Sequence, residues 1–184
     1  NYQTFRVTDL LNNPFFMEIL KSQIFNNKNL NALINFNVKN VYDFNRFSDL
    51  SLKLKIEQGN YNFSNSNIYW RENVKVLFLD AFLNFDQEKI NLNGRTSFEV
   101  KNKDEFYKFL QIKKELRKNI EKIELDFNYD LNEEKITFDN LRIDNKSNEK
   151  IEEIVSNFNS SNKKFFNKIT FKNFVNDILT AYFG

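Results

Sequence analysis

From Asn29 onward the chain alternates between apolar and polar residues. Ile34, Phe36 and Val38 are separated by Asn35 and Asn37, and Leu50, Leu52, Leu54 and Ile56 by Ser51, Lys53 and Lys55. A two-residue period places one parity on each side of an extended chain, so these segments are predicted to be half-buried strands. Gly59-Asn60 marks a turn, Tyr61 and Phe63 open a further strand, Asn65-Ser66-Asn67 turns again, and Ile68 and Trp70 form another short one. From Val74 to Phe85 apolar residues fall on both parities. That pattern predicts a strand covered on both faces or one whose phase is switched by a bulge. Ile90, Leu92, Phe98 and Val100 carry the sheet on through Asn93-Gly94.

The period changes at Asn102. Asn102 with Glu105 three residues on is a capping-box pair, and Phe106, Phe109, Leu110, Leu116 and Ile120 define one face of a helix expected over about 103–120. Alternation returns in Ile123, Leu125, Phe127, Tyr129 and Leu131. It resumes in Ile136, Phe138, Leu141 and Ile143, with Asn132-Glu133-Glu134 between them as a hairpin turn. Ile151, Ile154, Val155 and Phe158, then Phe171, Phe174, Val175, Ile178, Leu179 and Tyr182, follow helical spacing. The last helix is expected to cap the end of the sheet. Near the start, Asn13-Pro14 is a helix-opening pair before Ile19, Leu20 and Ile24, which predicts a short helix from about Pro14 to Phe25. The expected fold is therefore β-rich α+β: an antiparallel meander forming a twisted, groove-like sheet, with one interrupting helix and C-terminal helices. Three regions follow: 1–29 with a short helix, 30–147 as the sheet body, and 148–184 as a helical cap.

Composition removes most chemistry. The 184 residues include 22 Phe but 0 Cys and 0 His, so thiol nucleophiles, disulfides, imidazole bases and the commonest zinc ligands are all missing. With 3 Gly and no GxxxxGK[ST] or GxGxxG, a phosphate-cradling loop is hard to build. Lys+Arg 27 against Asp+Glu 25 gives a net charge of +2, which does not suggest a nucleic-acid partner. The stripe Lys108, Lys113, Lys114, Arg117 and Lys118 reads as the solvated face of its helix. Asp126, Asn128 and Asp130 have calcium-loop spacing but fall on a strand, without the Gly or the closing Glu such a loop needs. No catalytic residue, metal or cofactor is expected. The chain opens at Asn1 without a leader or a run of about 20 apolar residues, so it reads as a fragment whose membrane anchor, if the parent has one, lies outside it.

Several stretches carry a resemblance: Leu52-Lys-Leu-Lys-Ile-Glu-Gln-Gly59-Asn-Tyr-Asn-Phe63, Asn67-Ile-Tyr-Trp70, the strand containing Gly94, and Phe106-Tyr-Lys-Phe109 leading to Lys113-Lys-Glu-Leu-Arg117-Lys-Asn-Ile120. In order and pattern they resemble the C-terminal region of AsmA-like proteins over residues 30 to 182. The resemblance implies a Gram-negative envelope protein, anchored in the inner membrane by an N-terminal helix, with a periplasmic β-rich body. Relatives with long bodies form an open groove implicated in moving phospholipid toward the outer membrane. The family offers no active site to carry over. An apolar sheet face suits acyl chains, since each buried methylene is worth ~0.8 kcal/mol. The residues expected to contact lipid are Ile34, Phe36, Val38, Leu52, Leu54, Ile56, Phe63, Leu125 and Phe127. The competing expectation is that the same face packs against the helices as an ordinary core. In that case the chain is an interaction module that assists outer-membrane assembly by pairing sheet edges with envelope proteins, without lipid.

Overall fold

The computed structural model describes residues 4–5, 18, 22, 27–41, 47–86, 89–161 and 168–183. Nine strands among these form one sheet: β1 (Thr4–Phe5), β2 (Asn31–Val41), β3 (Phe47–Glu57), β4 (Asn60–Asn62), β5 (Asn67–Trp70), β6 (Val74–Asp86), β7 (Lys89–Val100), β8 (Lys122–Asp130) and β9 (Lys135–Ile143). The helices are α1 (Lys103–Leu110), α2 (Glu149–Ser160) and α3 (Lys168–Phe183). The fold is the β-rich α+β class that the alternation predicts. Every pairing from β2 to β9 is antiparallel and follows chain order, except that β4 and β5 share one lane between β3 and β6. β1 is a departure: it pairs parallel with Asn40 and Val41 of β2, in a region where no strand was expected. The helix expected from Pro14 to Phe25 lies outside the described residues apart from Glu18 and Ser22, where the Ser22 N–H donates to the Glu18 carbonyl at 2.8 Å.

The double parity of β6 is resolved by a bulge. Phe78 pairs with Thr96 and Asp80 with Arg95, so Leu79 is one residue more than β7 can match. The extra residue shifts the phase, and Val76, Phe78, Ala81, Leu83 and Phe85 all end on the face shared with Phe98, Thr96, Gly94, Leu92 and Ile90. Gly94 is required at this point, because a β-carbon there would lie 2.0 Å from the Asp80 carbonyl oxygen and 2.7 Å from Ala81 Cα. Between β4 and β5, backbone pairing to β3 lapses and a side chain replaces it. Ser66, 0% exposed, accepts the Lys53 N–H at 2.9 Å and donates to the Lys53 carbonyl at 3.3 Å. The β3–β4 hairpin turns on Gln58 and Gly59, both at positive φ (52° and 84°), as a tight two-residue turn demands.

The helix expected over 103–120 is shorter than its apolar spacing suggests. Asn102 caps it by accepting the Glu105 N–H at 3.2 Å, but the reciprocal half of the capping box does not form, because the Asn102 N–H donates to Asn73 instead. At the other end Gln111 adopts the left-handed conformation (φ 55°). Its N–H bonds to Lys108, and the Ile112 N–H bonds to Tyr107 at 3.0 Å, the paired bonds of a Schellman closure. This turn swings Ile112 into the core, where it is buried; Leu116 then sits in a single 3₁₀ turn, Lys114–Leu116. The basic stripe is thus split between a short helix and an irregular segment.

α2 meets the sheet at its last strand, β9. With α1 and α3 it gathers over the inner face of β5–β9, against a core that includes Tyr107, Leu110, Ile120, Ile143, Ile151, Val155, Ile178 and Leu179. Trp70 meets Phe106 and Phe109 of α1 edge-on. α2 is also tied to the border strand by one side chain: Asn159 accepts the Phe138 N–H at 2.9 Å and donates to the Phe138 carbonyl at 2.8 Å. A carboxamide has the donor and acceptor of a peptide group, so Asn159 occupies the place of a neighbouring strand residue.

Candidate functional site: an apolar cavity between sheet and helices

Four strands and two helices leave a cavity of about 260 Å³. Its floor is the inner face of the sheet: Val76 and Phe78 from β6, Leu92, Thr96 and Phe98 from β7, Ile123, Leu125, Phe127 and Tyr129 from β8, and Ile136, Phe138 and Leu141 from β9. Phe106 of α1 and Phe174, Val175 and Ile178 of α3 complete the lining.

Local packing explains why the space exists. Toward β6, Phe127 meets Phe78 at 6.0 Å in an edge-to-face contact. On the β9 side Phe138 stacks on Phe174 at 5.3 Å, with Phe158 of α2 4.4 Å from Phe174. The Phe138–Phe174 pair joins α3 to β9, and Phe158 joins α2 to both. Val175, on the same stretch of α3, is too short to fill the space these rings leave.

The electrostatics of the lining are simple. Among the described residues no charged side chain borders the cavity, and the one small polar group, Thr96, is 5% exposed and donates its hydroxyl to the Leu77 carbonyl at 3.1 Å beside the bulge. Tyr129 carries a phenol held above its ordinary pKa, first by burial and then by the charges of Glu134 and Asp130, so it stays neutral at physiological pH. The strongest ionic contact of these strands lies on the opposite face. There Arg95 Nε is 2.7 Å from Asp126 Oδ1, Arg95 Nη2 is 3.3 Å from Oδ2, and Asn140 donates to Oδ2 at 2.7 Å. The Arg95 hydrogen bond, and after it the one from Asn140, hold the Asp126 carboxyl below the usual carboxylate range. Among the described residues no group of three or more Asp or Glu side chains is placed to hold a metal ion. Such a lining can hold hydrocarbon out of water.

Of the nine residues expected to contact lipid, Leu125 and Phe127 line the cavity. Phe63 packs against the same core without lining it. The other six lie on β2 and β3, where Ile34 pairs with Leu54 and Phe36 with Leu52. Val38 and Ile56 are buried there, Phe36, Leu52 and Leu54 half-buried, and Ile34 is 49% exposed. The expected trough along β2 and β3 and the cavity under α3 are therefore different places. Sequence reasoning identified Phe98, Ile136, Phe174 and Ile178 as inward-facing, but no periodicity says that the two inward surfaces fail to meet.

Comparison of the chain with family models, with curated proteins and with solved structures gives no match. Function must be argued from the site itself.

Proposed function

We propose that this chain is a non-catalytic lipid-binding segment that holds hydrocarbon between the sheet and α3. What supports this reading is the roughly 260 Å³ space, bordered by 14 apolar side chains, Tyr129 and a single, already bonded hydroxyl. The space is half open, and its lining lacks part of the dispersion contacts that a packed core would supply. A ligand that restored them would be bound by burial alone, at ~0.8 kcal/mol per methylene. The resemblance to AsmA-like proteins, carried by strand order and the segments from Leu52 to Ile120, supplies the biological setting of the proposal: a periplasmic body with its anchor outside this chain, handling phospholipid between the two membranes. The decisive experiment is solvent extraction of the purified protein followed by mass spectrometry. Lipid recovered in defined proportion to protein is the expected result. A lipid-free protein that also takes up none from phospholipid vesicles would reject the reading.

A second reading, a module that pairs with envelope proteins, is favoured by β2. Leu33 (68% exposed) and Ile34 (49%) place apolar side chains in solvent on a strand whose outer edge, among the described residues, is paired only at Asn40 and Val41. Pull-down with Leu33→Lys as control tests it: loss of a partner in the variant, with lipid content unchanged, would favour the second reading over the first.

A further inference from the structure

A ligand held by apolar contact alone is selected by its length and by nothing else. We propose that the cavity measures a single unbranched hydrocarbon chain of about ten carbons and is indifferent to the polar group at its end, an inference that rests on the binding reading above. The length follows from volume. An apolar cavity of ~150 Å³ lined by similar side chains accepts benzene, six carbons, so about 260 Å³ accommodates roughly ten. The indifference follows from chemistry. A carboxylate or phosphate inside would be desolvated without a partner, because the described lining, Tyr129 included, turns almost no polar surface to the space, carries no charged group, and has its Thr96 proton already donated to Leu77. The polar end therefore stays outside, and of a two-chain lipid at most part of one chain is enclosed.

Two probe series test this, n-alkanoates and n-alkylphosphocholines from about six to about fourteen carbons, each kept below its aggregation threshold. Binding is read by the fluorescence of Trp70, the one tryptophan of the chain, whose ring lies 6.2 Å from that of Phe106 in the cavity wall. Kd should fall about fourfold per added methylene, the equivalent of ~0.8 kcal/mol, up to about ten carbons and then level off. Matched lengths in the two series should agree within about threefold. A Kd that keeps falling at the same slope beyond twelve carbons, or a difference above tenfold between matched chains, would overturn the inference while leaving the binding reading in place. No binding in either series would remove both. Leu92→Ala should move the plateau to longer chains and Val175→Phe to shorter ones. Where Val175→Phe fails to fold, Leu92→Ala alone decides, since a folded variant with an unmoved plateau places the ligand elsewhere.

Discussion

A methyl group on Gly94 would collide with backbone, the Asp80 carbonyl and Ala81 Cα, and backbone in a paired strand cannot rotate aside. Gly94→Ala should therefore lower stability by about 2–4 kcal/mol in urea unfolding. Gly59→Ala, which places a side chain at a positive φ (84°), should cost about 1 kcal/mol. Tyr107 offers a second test at this scale. Its ring is 1% exposed, its hydroxyl donates to the Lys118 carbonyl, and burial, followed by the charge of Asp144, pushes its pKa up to about 12. Unfolded, the phenol ionises near ~10. Between those values the folded state retains a proton that the unfolded state has lost, so stability is fully present below pH ~10 and falls as pH rises toward ~12, by about 2 kcal/mol in all. Thermal unfolding across that range should show the decline in the wild type and a shallower one in Tyr107→Phe.

Elements end where backbone geometry ends them, and α1 is the case in point. Gln111 holds a left-handed conformation that costs a non-glycine residue roughly 1–2 kcal/mol, partly offset in glycine by its greater unfolded-state entropy. Gln111→Gly should stabilise the fold by about 0.5–1 kcal/mol, read as a raised urea midpoint with unchanged slope. The same position shows what sequence could and could not convey. The strands were legible because alternation in Leu50–Ile56 or Ile123–Tyr129 reports directly which side of a sheet each residue faces. The bulge at Leu79 was legible as one of two alternatives, since a phase switch leaves apolar residues on both parities. The end of α1 was not, because Leu116 and Ile120 keep helical spacing by chance of a turn and a Schellman closure built on Gln carries no glycine to announce it. The parallel pairing of Thr4 and Phe5 was equally silent, as two residues hold no period.

At the scale of the molecule, the described helices cover one half of the sheet, and the two halves should respond differently to charge. Leu125, buried in the core under α3, cannot accept a carboxylate without leaving it unpaired, so Leu125→Asp should cost several kcal/mol, a large part of a typical stability of ~5–15 kcal/mol, and weaken or abolish cooperative folding. Leu54→Asp, on half-buried β3, should cost about 1–2 kcal/mol and leave chain binding intact, with Lys53→Asp on the opposite face as control. Thermal unfolding and ligand titration of the three variants check both statements. The cavity itself was illegible in the sequence because it is a difference between two surfaces: Leu125 and Phe127 were read as apolar floor, but which helix residues stand over them is a matter of tertiary packing, such as that of Phe174 on Phe138. The border of the sheet has its own consequence. Along β9 the outward groups of Phe138 are taken by Asn159, and those of Ile143 by Lys146 at 2.8 and 2.9 Å. A strand from another copy laid along β9 would therefore find the ladder already occupied at those two points, which discourages edge-to-edge aggregation on that side.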